Sequence, residues 1–171
     1  MAATRNDEQL AYSAGRLYWS GGSAPAAIGR GGVTANKKEG DGATPAGVYP
    51  LLFGLYRSDR VALPASRLPI TPMAPNQGWV DDPADPNYNR PVWLPYPARA
   101  ERMWREDHVY DVVVIIGYNM NPVVAGAGSA IFLHIARPTF SPTEGCIAIS
   151  KDILLRIIPL LGPESAIAIR E

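Results

Sequence analysis

The stretch IFLHIARPTFSPTEGCIAIS, residues 131–150, decides how this chain is read. Two apolar runs, Ala130–Ile135 and Cys146–Ile149, flank a turn containing Arg137, Pro138 and Pro142. Each run is short, rich in isoleucine and bounded by turn formers, the pattern of a strand. Side chains alternate along a strand, so Phe132 and His134 share one face while Ile131, Leu133 and Ile135 share the other. By the same alternation Ile147 and Ile149 face the core and leave Cys146 and Ala148 on the opposite side. His134 is therefore expected to point away from the core, toward a cleft or the surface. It lies twelve residues before Cys146, enough for the two strands to lie side by side with thiol and imidazole within hydrogen-bond reach. A thiol needs a nearby base or cation to serve as a nucleophile at neutral pH, and such a pair is the activated-nucleophile arrangement of acyl transfer. Taken singly, each residue has a plainer reading: His134 as a histidine packed beside a sheet, Cys146 as an inert buried thiol. Gly145 lets the backbone come close to a ligand.

Outward from this pair the chain reads as mainly β. Val109–Ile116, β-branched and nearly uncharged, is the strongest strand. Val48–Tyr56, with aromatic residues at Tyr49, Phe53 and Tyr56, reads as a buried strand or a pair of strands. Leu10–Tyr12 and Arg16–Trp19 flank Ala14-Gly15 as a short hairpin or two edge strands, Ala26–Gly29 is a further short strand, and Ala166–Ile169 closes the chain. Gly29–Gly42 is a glycine-rich, charged loop, and Tyr118-Asn119 to Gly128 is a turn region. From Ala62 to Ala98 prolines recur every few residues, which predicts a long irregular excursion. A loop of that length usually serves as the wall or lid of a site. Within it and just after it, Trp79, Tyr88 and Trp104 read as core fillers or as a substrate wall. A short helix is expected over Ala98–Glu106. A second runs over Lys151–Leu161, with Ser150 as its cap and Gly162-Pro163 at its end.

The 171 residues suit one domain. Sixteen basic residues balance 16 acidic ones, and nothing resembles a nucleic-acid module, so nucleic acid is not an expected partner. No membrane is expected either, because the longest wholly apolar runs, such as Val112–Ile116, are far too short to span a bilayer. The single cysteine excludes an internal disulfide. With only His108 and His134 beside it, it cannot build a structural zinc site of four ligands; His108 itself reads as a surface residue. Gly29-Arg30-Gly31-Gly32-Val33-Thr34 falls short of a dinucleotide fingerprint, and no P-loop is present. Asp81, Asp82 and Asp85 lack the closing glutamate of a calcium loop. No metal and no cofactor are expected. Met1–Leu10 carries Asn6, Asp7, Glu8 and Gln9 with no apolar run after it, so a cytoplasmic chain is expected as written, or an envelope location if a leader belongs before it.

At this point the residues resemble a known family. Ile131-Phe132-Leu133-His134, followed by Ser141-Pro142-Thr143-Glu144-Gly145-Cys146-Ile147, resembles the L,D-transpeptidase (YkuD-type) catalytic domain. There a histidine ends one strand and a nucleophilic cysteine follows in a Ser/Thr-His-Gly-Cys motif. Upstream, Lys37-Lys38-Glu39-Gly40-Asp41-Gly42-Ala43-Thr44-Pro45-Ala46-Gly47 is similar to the family's Lys-x-Glu-Gly-Asp…Thr-Pro-x-Gly segment. The order and separation of the two blocks fit, and the resemblance covers roughly residues 27–160. This chain departs from the pattern in four ways. Glu144 stands where the motif has histidine, and the usual arginine after the cysteine is absent. The interval from His134 to Cys146 is short, and Ile135 replaces a small residue.

The resemblance implies a single-domain mixed β-sandwich with one or two short helices packed on it, acting on a peptidoglycan stem peptide or muropeptide. It implies Cys146 as nucleophile, His134 as general base and later acid, and the backbone N–H groups of Gly145 and Cys146 as oxyanion hole, with the Ile135 carbonyl orienting His134. The cysteine attacks the L-centre carbonyl of a diamino acid, expels the terminal D-residue and forms a thioester that an amine or water resolves. A stem peptide carries carboxylates and an amine, so Arg137, Glu144, Thr143, Tyr118 and Asn119 are the expected substrate contacts. With water as acceptor the chain is a cytoplasmic L,D-carboxypeptidase of murein recycling. The rival from another class is a non-catalytic module that binds wall fragments, which would tolerate loss of Cys146. The sequence does not fix the oligomeric state.

Overall fold

Short apolar runs separated by glycine, proline and asparagine turns become strands in the computed structural model, which describes residues 7–171. The first three form a meander: β1 (Leu10–Ser13), β2 (Arg16–Trp19) and β3 (Gly22–Pro25). Two short strands follow, β4 (Val33–Thr34) and β5 (Thr44–Pro45), and then the long β6 (Gly47–Tyr56). The proline-rich excursion carries β7 (Ile70–Pro72), β8 (Gln77–Val80) and β9 (Pro91–Trp93), with β10 (Ala100–Arg102) just after it. Next come β11 (Val112–Ile116), β12 (Phe132–Ile135), β13 (Ile147–Ile149), the helix α1 (Lys151–Ile157) and β14 (Ala166–Ile169).

Strand β6 joins the two halves of the main sheet. Its first residues pair with β14, Tyr49 opposite Ile167, and its last with β11, Leu55 opposite Val113. From β14 the sheet continues to β1, β2 and β3; from β11 it continues to β12 and, in parallel, β13. The two ends approach each other. Beyond β3, Ala27 exchanges backbone hydrogen bonds with Ala148 of β13 in both directions, at 2.8 and 2.9 Å. The result is a mixed β-sandwich curled almost into a barrel, with Leu154 and Ile157 of α1 buried in its core.

Apolar clusters cover both faces of β11 and β12. Val112, Val114, Leu133, Ile147 and Ile149 belong to the cluster inside the sandwich. On the other face Val113, Ile115, Phe132 and Cys146 pack with Trp79 of β8 and Met103. Of the two places that alternation suggested for His134, a cleft or the surface, the structure gives the cleft. The excursion folds back as the sheet β9–β8–β10 and covers this face, leaving His134 5% exposed. Burial on both faces also accounts for the unbroken apolar run of β11. Trp79 meets Phe132 edge-on at 5.1 Å, a contact worth about 0.5–1.5 kcal/mol beyond its buried area. The Trp79 indole N–H donates to Asn89 Oδ1 at 2.9 Å.

Three local expectations need correction. Residues 98–106 are not helical: Ala100–Arg102 pairs antiparallel with β8, placing Glu101 opposite Trp79. Helix preferences of such residues amount to tenths of a kcal/mol each, and the ladder overrides them. The C-terminal helix stops at Ile157 and tightens into a 3-10 turn over Ile158–Leu160 with Pro159 in its first turn, and the Ser150 side chain makes no capping bond. Ala26–Gly29 contributes single bridges, not a strand.

Buried charge fastens the segment that follows β10. The Arg57 guanidinium lies 3.6 Å over the Trp104 ring, donates twice to Asp59 and once to the Arg105 carbonyl. Asp111, 1% exposed, is held by Arg60 at 2.8 Å and His108 at 2.7 Å. A carboxylate buried that deeply costs several kcal/mol unless it is paired. These ties hold the Arg105 backbone and the residue beside Tyr110, while the ladder to β8 places Glu101.

Candidate active site

The turn before β13 is clamped from two directions. Thr143 exchanges backbone hydrogen bonds with the 28–30 segment: its N–H donates to Ile28 O and Arg30 N–H donates to its carbonyl, both at 2.9 Å. The Thr143 hydroxyl donates to the Cys146 carbonyl at 2.6 Å and accepts from the Gly145 N–H at 3.1 Å. From β5, the fully buried Thr44 hydroxyl donates to the Gly145 carbonyl at 2.8 Å and accepts from the Gly29 N–H at 2.9 Å. The 37–47 block and the cysteine turn, far apart in sequence, thus meet. Gly145 has φ +141°, and a Cβ there would stand 2.9 Å from the Ala43 carbonyl oxygen, so only glycine fits. A Cβ on Gly29 would overlap the Gly42 carbonyl and come within 3.0 Å of Gly145 Cα. Gly29→Ala is therefore expected to destabilise by about 1–3 kcal/mol. Thermal unfolding should show Tm lowered by roughly 3–10 °C.

Cys146 and His134 sit on adjacent parallel strands and one face. Ala148 stands opposite His134 and Ile147 opposite Leu133, which puts Cys146 opposite Phe132, diagonal to the imidazole. The Cys146 sulfur accepts from the Phe132 N–H at 3.3 Å and its thiol donates to the Ala130 carbonyl at 3.2 Å. Among the described residues no hydrogen bond joins thiol to imidazole, because the diagonal register directs the thiol along its own cross-strand neighbours. His134 Nδ1 lies 2.9 Å from the Ile135 carbonyl. A carbonyl only accepts, so the ring proton is on Nδ1 and Nε2 carries the lone pair.

Both side chains border a cavity of about 440 Å³. Tyr110 stands over the pair: its ring meets His134 edge-on at 5.1 Å, and its hydroxyl is 2.6 Å from Glu101 Oε1. Most of the charged wall is internally paired: Lys37 with Asp41, Arg99 with Asp81, Arg105 with Asp107, and Glu144 with Arg30. Arg137 is the most loosely held of these cations, 3.9 Å from Asp107, which Arg105 already binds at 2.7 Å. Glu39 accepts from the Tyr88 and Ser129 hydroxyls, tying the 37–47 block to the far rim.

Burial dominates the electrostatics. It pushes the Cys146 thiol up to about 12, reinforced by the Glu101 carboxylate and opposed by the Phe132 N–H, Tyr110 and Lys37. It pulls His134 down to about 4, assisted by Arg105 and Arg137 and opposed by the Ile135 carbonyl and Asp107. At neutral pH the site holds a neutral thiol beside a neutral imidazole. Unfolding returns His134 to its ordinary value of about 6.5. Above that pH both states are neutral and the stability is whole. As pH falls from 6.5 toward 4 only the unfolded chain takes the proton, so stability declines, by an amount of order 3 kcal/mol from this residue. Denaturant titrations of the wild type and His134→Gln across this window should show the decline only in the former.

Of the expected site residues, Cys146, His134, Thr143, Glu144 and Arg137 line the cavity. The Thr143 hydroxyl is occupied within the turn, and Glu144 is an exposed partner of Arg30 at 3.1 Å. The Gly145 N–H, bound to Thr143, is not free for an oxyanion. Tyr118 and Asn119 stand elsewhere. Tyr118 donates to the Ala127 carbonyl, and Asn119 bonds Val124 and Gly128 to close their loop. Glu101, Tyr110 and Arg105 were missed. Glu101 falls within the segment expected as a helix, Ala98–Glu106. Asp111 interrupts the alternation, so Tyr110 joins the cluster of Val113 and Phe132, not that of Val112. Lys37 and Glu39 lie in the quoted upstream block, and their place on the cavity wall comes from the fold alone.

A family model described as YkuD, L,D-transpeptidase catalytic domain, matches residues 4–169. No curated protein matches the chain.

Proposed function

Because the chain belongs to the YkuD family of L,D-transpeptidase catalytic domains, whose members act on peptidoglycan stem peptides, we propose that its L,D-transpeptidase-type activity proceeds by acyl transfer through Cys146. The supporting observation is the placement of the thiol and a base with a free Nε2 on one wall of the same cavity.

In this reading the thiol leaves the Ala130 carbonyl and its proton passes to His134 Nε2 as sulfur attacks the L-centre carbonyl of the diamino acid. The neutral resting pair suits this route, since proton transfer accompanies attack and no standing thiolate is needed. The Cys146 N–H receives the oxyanion, because the Gly145 N–H is held by Thr143. As the C–N bond breaks, the departing amine of the D-residue takes the proton from His134, leaving a thioester. An amine or water then attacks the thioester, gives its proton to His134, and the sulfur recovers it on release. Arg137, which makes no side-chain hydrogen bond among the described residues, is the cation offered to a substrate carboxylate.

Incubation with a disaccharide-tetrapeptide, with and without an amine acceptor, tests this reading by mass spectrometry. Release of the terminal D-residue is expected. A cross-linked product identifies the amine as acceptor, and a tripeptide product alone identifies water. Tight binding without release would mark a wall-fragment binding module and contradict the enzymatic reading.

A further inference from the structure

One carboxylate of the cavity wall, Glu39, is held by hydroxyls and by no cation. Its Oε2 accepts from Tyr88 at 2.5 Å and from Ser129 at 2.7 Å, and its backbone N–H donates to the Gly126 carbonyl at 2.8 Å. Tyr88 is 3% exposed, and its oxygen accepts from the Gly128 N–H at 3.0 Å, so its single proton is committed to Glu39. Ser129 directly precedes Ala130, whose carbonyl receives the Cys146 thiol, which ties the anchor to the backbone beside the nucleophile. Both hydroxyls use the same oxygen. Among the described residues no hydrogen bond reaches Oε1 and no ion pair includes Glu39. Two cations of the wall are turned elsewhere: Lys37 donates to Asp41 and the Lys38 carbonyl, and Arg99 to the Asp81 side chain and carbonyl.

We propose that Glu39 Oε1 receives the side-chain ammonium of the substrate's diamino residue, making Glu39 the residue that selects peptides carrying that positive charge. The assignment takes its substrate class from the acyl-transfer reading. A ligand filling the cavity strips water from the Glu39 carboxylate, which is unfavourable unless a positive group replaces that water. An ammonium brings three donors and no acceptor, and its hydrogen bond to a carboxylate is charge-assisted. The two hydroxyls hold the carboxylate in place before the ligand arrives, so little side-chain freedom is lost on binding. The other acids of the wall suit the role less. Glu144 has an 80% exposed side chain and is paired with Arg30, and Asp81 is paired with Arg99. Glu101 accepts from Tyr110 at 2.6 Å, and burial there disfavours its anionic form. With Arg137 loosely held by Asp107, the cavity offers one anion and one cation to a peptide that carries both charges.

The test is calorimetric binding of two stem tetrapeptides to the Cys146→Ser protein, which cannot turn them over efficiently. One carries the side-chain amine on its diamino residue, and the other has hydrogen in its place. The second should bind about tenfold more weakly, the scale of one hydrogen bond to a charged group. Adding Glu39→Gln, whose amide oxygen can still accept from Tyr88 and Ser129, should shrink that difference to about twofold or less. Adding Glu101→Gln should leave it at about tenfold. Equal binding of the two peptides to Cys146→Ser, binding of neither, or a difference that survives Glu39→Gln and vanishes in Glu101→Gln would overturn the assignment. Carbodiimide treatment of the complex needs no change at Glu39 and serves if that variant fails to fold. It should join the amine to Glu39 as an amide, and an amide at Glu101 in its place would overturn the assignment. The expected difference in a chain whose wild type never releases a D-residue would count against acyl transfer and leave Glu39 as the ammonium site. Release of the D-residue without that difference does the reverse.

Discussion

Replacing Cys146 with serine is expected to reduce release of the terminal D-residue by about 10³-fold or more, the scale on which loss of a nucleophile is felt. The hydroxyl is smaller and still able to donate to Ala130 and accept from Phe132, the two partners of the thiol, so the fold should survive. Its proton is far less acidic than a thiol's, and a base as weak as His134, held at about 4, cannot remove it efficiently. D-residue release together with thermal unfolding separates the two effects. Wild-type turnover in the serine variant would remove Cys146 from the mechanism.

His134→Gln carries the second large effect, a fall of about 10²–10⁴-fold in kcat/KM, the usual contribution of a positioned general base. Glutamine can still donate to the Ile135 carbonyl, so the buried polar bond persists while the basic Nε2 is lost. The pH profile gives a sharper reading than the rate. A base works only when neutral, so wild-type activity should rise as pH climbs through about 4 and then level. The variant's residual activity should lack that limb. A full acid limb in His134→Gln would assign it to another group.

How much of this was legible in the sequence varied with the range of the interactions involved. The histidine and cysteine strands were read from period-two alternation and turn formers, because both signals are local. So were β2, the core of β6 and β14. The burial of His134 was not legible, since it depends on β8 to β10 folding back over β12 from a segment whose prolines read as irregular. Ala100–Arg102 shows the same limit: its composition favours helix, and only its partner β8 makes it a strand. Within the site, Cys146, His134, Thr143, Glu144 and Arg137 lay in one quoted stretch and do line the cavity. Glu101 and Tyr110 come from another part of the chain: Glu101 reaches the cavity on the β10–β8 ladder, and Tyr110 beside the buried Asp111 held by Arg60 and His108. The expected thiol–imidazole contact was read from faces alone. Register decides it, and the register puts Cys146 opposite Phe132, one pleat away from His134.

The most direct measurement is peptide mapping of the protein quenched in acid during turnover of a disaccharide-tetrapeptide. The chain has one cysteine, so a thioester has one possible address. Cys146 as nucleophile predicts a peptide containing residue 146 heavier by the substrate minus its terminal D-residue, released by hydroxylamine and absent from Cys146→Ser. Release of the D-residue with no such adduct accumulating under any quench time, or an adduct on another side chain, would contradict it.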